Sequence, residues 1–139
     1  MKKFGSIGMI ENRPTVLDLF KTPMFMSFFQ SLFGKKISNT DAIKILEVHA
    51  FKEAISAKNI QLVDVRTKFE YNSGHIENAK NIDFFDRSNF NKKVASFDRE
   101  QPVFVYCRSG KRSQRAAKRL LKLGFTKIYD LKGGYKAWN

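Results

Sequence analysis

From Ala42 to the C-terminus, short β-branched and aromatic runs alternate with helical ones, and that alternation permits few folds. Strands are predicted over Ile43 to Val48, Gln61 to Val65, Ala79 to Ile82, Val103 to Tyr106 and Lys127 to Leu131. Helices are predicted over Ala50 to Ala57, over a short stretch ending near Gly74, around Phe90, Val94 and Phe97, and over Arg112 to Lys122. Thr67 and Glu70 have the spacing of a capping box, and Ser88 is a candidate cap for the Phe90 helix. Gly124 stands where a helix end wants a left-handed residue, and Gly133-Gly134 reads as a turn. Strands and helices of this size, in alternation, imply an α/β three-layer sandwich: a central, mostly parallel sheet with helices on both faces. Ligands of such sheets bind off the carboxyl ends of the strands.

At one of those ends sits the sole cysteine. Val103 to Tyr106 delivers Cys107, Ser109 and Gly110 allow a tight turn, and a basic helix begins. A helix N-terminus and nearby cations favour thiolate over thiol. The same backbone N–H groups can hold an anion. Arg108, Lys111 and Arg112 would be an odd shell for an inert, structural thiol, although free cysteines are often buried as small hydrophobes. With no second cysteine in the chain, any group captured on Cys107 must leave to an external acceptor, and a single thiol fits a reducing, cytoplasmic setting.

The net charge of +13 is compatible with nucleic acid, anionic membrane or small anions. Seven cations and no carboxylate lie between Cys107 and Lys122. Arg115, Lys118, Arg119 and Lys122 read as a solvated helix face, and also as a field drawing anions toward Cys107. Nucleic-acid binding would want exposed aromatics among the basic residues or a reading motif, and neither is seen. No stretch is long and apolar enough to span a membrane, and Glu11, Arg13 and Asp18 interrupt any cleavable leader.

Residues 1–41 differ from the remainder and form an aromatic-rich, partly helical extension to a domain over 42–139. Phe25, Phe28, Phe29, Leu32 and Phe33 share a helical face, and Gly34-Lys35-Lys36 ends it. Three uses of residues 24–33 stay open: packing on the domain or on a second copy, docking a protein partner, or lying on a membrane surface between Lys21 and Lys35-Lys36. Met24 and Met26 are alternatives to Met1 as the start.

From Ala42 onward the chain resembles the rhodanese domains, in a single-domain form. The landmarks are Asp64-Val65-Arg66, Glu70 and Tyr71, Gly74-His75-Ile76, Ala79, Asn81-Ile82, Cys107-Arg108-Ser109-Gly110-Lys111-Arg112-Ser113, Gly124-Phe125, and Gly133-Gly134 with Trp138. Each is weak alone, but their order is specific. Asp83 stands where the family usually has proline, and Phe84 and Phe85 after it either line the entrance or fill the core. The resemblance implies a sulfurtransferase without metal or organic cofactor. Cys107 would attack thiosulfate or a persulfide donor, release sulfite, and pass the captured sulfur to cyanide or a thiol. Arg108, Ser109, Gly110, Lys111, Arg112 and Ser113 would bind the sulfur anion. Asp64, Arg66, Glu70 and His75 would support the loops, Asp64 and Arg66 as an ion pair that Glu70 could join. Two alternatives remain: a persulfide carrier with little turnover, and a cysteine-dependent phosphatase or arsenate reductase of related fold. Four residues lie between Cys107 and Arg112, where the related phosphatases carry five, and this shorter loop suits a sulfur atom better than a tetrahedral phosphate.

Overall fold

The computed structural model describes residues 41–139; the expectations placed on residues 1–40, including the 24–33 face and the start site, lie outside the described residues. Five parallel strands run β1 (Ile43–Leu46), β2 (Gln61–Asp64), β3 (Lys80–Asn81), β4 (Val103–Tyr106) and β5 (Ile128–Leu131), in the spatial order β1-β5-β4-β2-β3. The helices are α1 (Val48–Ala54), α2 (Lys68–Asn72), α3 (Arg87–Val94), α4 (Lys111–Lys122) and α5 (Gly134–Trp138).

The central strand β4 reads as an unbroken, fully buried apolar run because both faces of the sheet are covered there. In β4, Phe104 and Tyr106 enter one core with Phe51 and Ala54 of α1, Tyr71 of α2, and Tyr135 and Trp138 of α5. Val103, Val105 and then Cys107 enter the other, with Phe90 and Val94 of α3 and Ala116, Ala117 and Leu120 of α4. The period of two along the strand thus decides which layer each side chain joins. Residues 113, 116, 117 and 120 of α4 are buried at helical spacing, which turns its basic face outward.

Several boundaries move for local reasons. β1 stops at Leu46 and α1 starts two residues earlier than predicted, because Glu47 takes the N-cap position. α3 is capped by Asp86, not Ser88: the Asp86 carboxylate accepts from the Asn89 N–H at 3.2 Å. The segment read as a turn at Gly133-Gly134 is the start of a further helix, α5, which the sequence reading missed. Gly124 follows the α4 C-terminus with φ of +103°, as expected.

The topology itself opens a crevice. From β2 the chain proceeds outward to β3, and from β4 it proceeds the other way to β5. The connections therefore diverge above the carboxyl ends of β2 and β4, the place where open α/β sheets bind ligands.

Candidate active site

Cys107 stands on the floor of that crevice, directly after β4, and as a residue is only 1% exposed. The loop reverses in four residues, with Gly110 at φ of +109° in the N-cap position of α4. A side chain at Gly110 would be strained by that backbone. The turn brings the Gly110 N–H to 3.1 Å from the cysteine Sγ, to which it donates. Of the amides of residues 108–113 expected to ring the sulfur, Gly110 supplies a hydrogen bond to Sγ. Ser113, fully buried in the first turn of α4, donates its hydroxyl to the Gly110 carbonyl at 3.1 Å and fixes the turn from below. Ser109 and Lys111 face solvent.

The missed helix α5 holds the other side of the loop. The Tyr135 N–H donates to the Cys107 carbonyl at 2.8 Å and the Lys136 N–H to the Arg108 carbonyl at 3.1 Å. These are two of the free N–H groups at a helix N-terminus, used here to bind backbone. Gly134 makes the approach possible: a Cβ there would lie 2.5 Å from the Arg108 carbonyl carbon and oxygen and 2.6 Å from the Cys107 oxygen. The sequence signal for this element was the Gly-Gly pair with Trp138, read as a turn although the same residues serve a helix start.

Charges surround the loop unevenly. Arg112 forks onto Glu70, with N···O distances of 2.7 and 3.0 Å. Glu70 also completes the capping box of α2, accepting from the Thr67 N–H at 2.9 Å. The Arg112 guanidinium, helped by the Thr67 donors, holds the Glu70 carboxyl at about 2. Glu70 therefore pairs with Arg112, not with the Asp64–Arg66 pair as the sequence reading allowed. The exposed ring of Phe85 lies 5.0 Å from the Arg112 guanidinium, while Phe84 is buried in the core. Arg108 and Lys111 form no ion pair among the described residues.

Asp64 and Arg66 form a buried pair at 2.7 Å. The Tyr106 hydroxyl donates to Asp64 at 2.7 Å and accepts from the Ile76 N–H at 3.0 Å, and Arg66 donates on to the Gly74 carbonyl. Burial, reinforced by Asp64, pushes the Tyr106 phenol far up. This network ties β2, β4 and the 74–76 loop together; the role of Tyr106 was hidden in an apolar strand. Asn81 donates to the Asp64 and Arg66 carbonyls, which carries the chain past Asp83 where the family pattern is broken. His75 is exposed, stacked on Tyr71 at 3.6 Å and bonded to the Tyr71 carbonyl. No group of His, Cys, Asp and Glu among the described residues could hold a metal ion, and no helix there is long and apolar enough to cross a membrane.

A recessed thiol, an amide on its sulfur, two unpaired cations and a third held in place by Glu70 thus come together at the carboxyl end of β4. The family model for the rhodanese-like domain matches residues 47–139. The protein YqhL of Bacillus subtilis (strain 168) is 34% identical over 115 residues, 83% of this chain and 87% of that protein. A thiosulfate sulfurtransferase GlpE from Shewanella oneidensis is 35% identical over 98 residues, 70% of this chain and 94% of that protein. The crystal structure of a rhodanese-related protein from Thermoplasma volcanium superposes with a TM-score of 0.59 at 32% identity, covering 68% of this chain and 89% of that one.

Proposed function

The chain belongs to the rhodanese-like domain family, and on that premise we propose that it is a sulfurtransferase carrying sulfane sulfur as a persulfide on Cys107. The observation that supports this most is the Gly110 N–H donating to Sγ from a turn that Ser113 locks from below. An amide pointed at the sulfur stabilises negative charge there, on the thiolate and then on the persulfide.

The proposed reaction has two displacements. The Cys107 thiolate attacks the outer sulfur of thiosulfate. The S–S bond of the donor breaks, and its electron pair leaves with sulfite. The Cys107 persulfide then meets a second nucleophile, cyanide or a thiolate, which attacks the terminal sulfur. That S–S bond breaks, and its electrons return to Cys107. Arg108 and Lys111 screen the dianionic donor on approach. Arg112, oriented by its fork to Glu70, supplies a fixed positive charge beside the loop. The donor must be slim, since the thiol is recessed.

The test is turnover of thiosulfate with cyanide, read as thiocyanate. Activity is expected in the wild-type chain and absent in Cys107→Ser. No thiocyanate from the wild type with thiosulfate or a cysteine persulfide donor, or equal rates from the variant, would overturn the proposal. Release of phosphate from an aryl phosphate, lost in Cys107→Ser, would instead assign the site to the related phosphatases.

A further inference from the structure

Beside the cysteine loop lies a groove of roughly 490 Å³, lined by Arg66, Phe69, Glu70, Arg108, Tyr135 and Lys136. Of its features, Phe69, the Lys136 side chain and Tyr135 are unused by the displacement at sulfur, while Arg108 borders both places. Phe69 is 82% exposed, projecting from α2 although α2 buries no residue of its own. The Arg108 and Lys136 side chains have no ion-pair partner among the described residues, and the acidic side chain in the groove, Glu70, is already paired with Arg112. Tyr135, half-buried, stacks on Tyr106 and against Arg66, which gives the groove a rigid aromatic floor. An exposed aromatic with unpaired cations around it has the composition of a protein–protein contact and the wrong sign for a basic partner.

We propose that this groove receives the sulfur acceptor, and that the acceptor is a cysteine on an acidic segment of a partner protein. The inference rests on the persulfide reading of Cys107. Arg108 belongs to both places: its carbonyl is held by α5 and its side chain borders the groove, so a chain lying there passes the mouth of the loop. Cys107 is 1% exposed, so the group that reaches its sulfur has to be narrow, and a single cysteine side chain on an extended segment is. Its thiolate attacks the terminal sulfur of the Cys107 persulfide, the S–S bond breaks toward Cys107, and the segment departs as a persulfide. Carboxylates flanking that cysteine meet Lys136 and Arg108, and an apolar neighbour covers Phe69.

The probes are three short synthetic peptides with one cysteine each, flanked by Asp/Glu, by Ser/Gly or by Lys. The full chain is loaded with thiosulfate, desalted, mixed with peptide, and followed by mass for loss of the extra sulfur. The acidic peptide is expected to discharge the persulfide about tenfold faster than the neutral one at low salt, and the basic one more slowly still. Lys136→Glu keeps the backbone N–H that grips Arg108 and is expected to erase that order or reverse it. Phe69→Ser is expected to slow the acidic peptide severalfold. Equal rates for the three peptides, or an acidic preference that Lys136→Glu leaves intact, would overturn the acceptor groove while the loaded persulfide still stands. Failure to load at all would overturn both readings, and the loading step shows which has failed.

Discussion

Two carboxylates near the cysteine loop are opposite cases of what burial does to a charge. Glu70 is stabilised as an anion by Arg112 and the Thr67 donors, with its carboxyl at about 2. A carboxyl held below its usual value stabilises the fold above its unfolded value of 4.5, and that stabilisation is lost as pH falls from there toward 2. Since both side chains are about a fifth exposed, about 1–2 kcal/mol is expected. Glu70→Gln should lose this in denaturant unfolding at pH 7 and lose almost none of it at pH 2; an equal loss at both would show that the pair does not supply it. Asp130 is the reverse. It lies fully buried on β5 opposite Val105, and neither carboxylate oxygen has a hydrogen-bond partner. The Ser113 hydroxyl and the Leu131 N–H lie near enough to moderate the effect, but Ser113 donates to Gly110 instead, and burial pushes the Asp130 carboxyl up to about 7. A carboxyl raised from 3.8 to about 7 stays protonated in the fold, so stability declines as pH rises through that window and the full penalty stands above it. Asp130→Val should therefore raise the Tm at pH 8 clearly more than at pH 4; an equal shift at both would mean that the carboxyl ionises without penalty. Neither effect was readable from the sequence. The Thr67–Glu70 spacing announced the cap, but the partner of Glu70 sits 42 positions away on another helix.

At the scale of elements, the strand–thiol–helix unit was legible because its parts are local: an apolar run, a glycine where φ is positive, a basic amphipathic helix. The helix that clasps the loop was not. Five residues beginning with one glycine and capped by another carry no periodicity, and α5 exists because its N–H groups find the Cys107 and Arg108 carbonyls, a tertiary fact. Gly134→Ala places a methyl within 2.6 Å of that backbone and a side chain at φ of +64°. The loop and α5 must then separate. A loss of about 1–3 kcal/mol and a fall in thiocyanate production of about a hundredfold are expected, since a displacement near 1 Å at a reacting group costs about that much. Near-normal activity in a folded Gly134→Ala protein would mean that α5 does not position the sulfur.

Across the whole molecule, the parallel sheet sets the crevice and the charge distribution sets what enters it. The alternation of strands and helices sufficed to place Cys107 at a strand's carboxyl end; the strand order, which makes β2 and β4 the diverging pair, comes from long-range pairing that no local run encodes. With α4 presenting its cations outward and a net charge of +13, the proposed sulfurtransferase would steer a dianionic donor toward the loop. kcat/KM for thiosulfate should fall severalfold as ionic strength rises from about 0.01 to 0.2 M, where screening shortens from about 30 Å to below 10 Å. A flat profile would confine recognition to the loop itself. The most direct measurement is the intact mass of the chain after incubation with thiosulfate. A gain of one sulfur atom, removed by cyanide and absent in Cys107→Ser, is the predicted result. An unchanged mass, or a gain that persists in Cys107→Ser, would contradict a persulfide on this thiol.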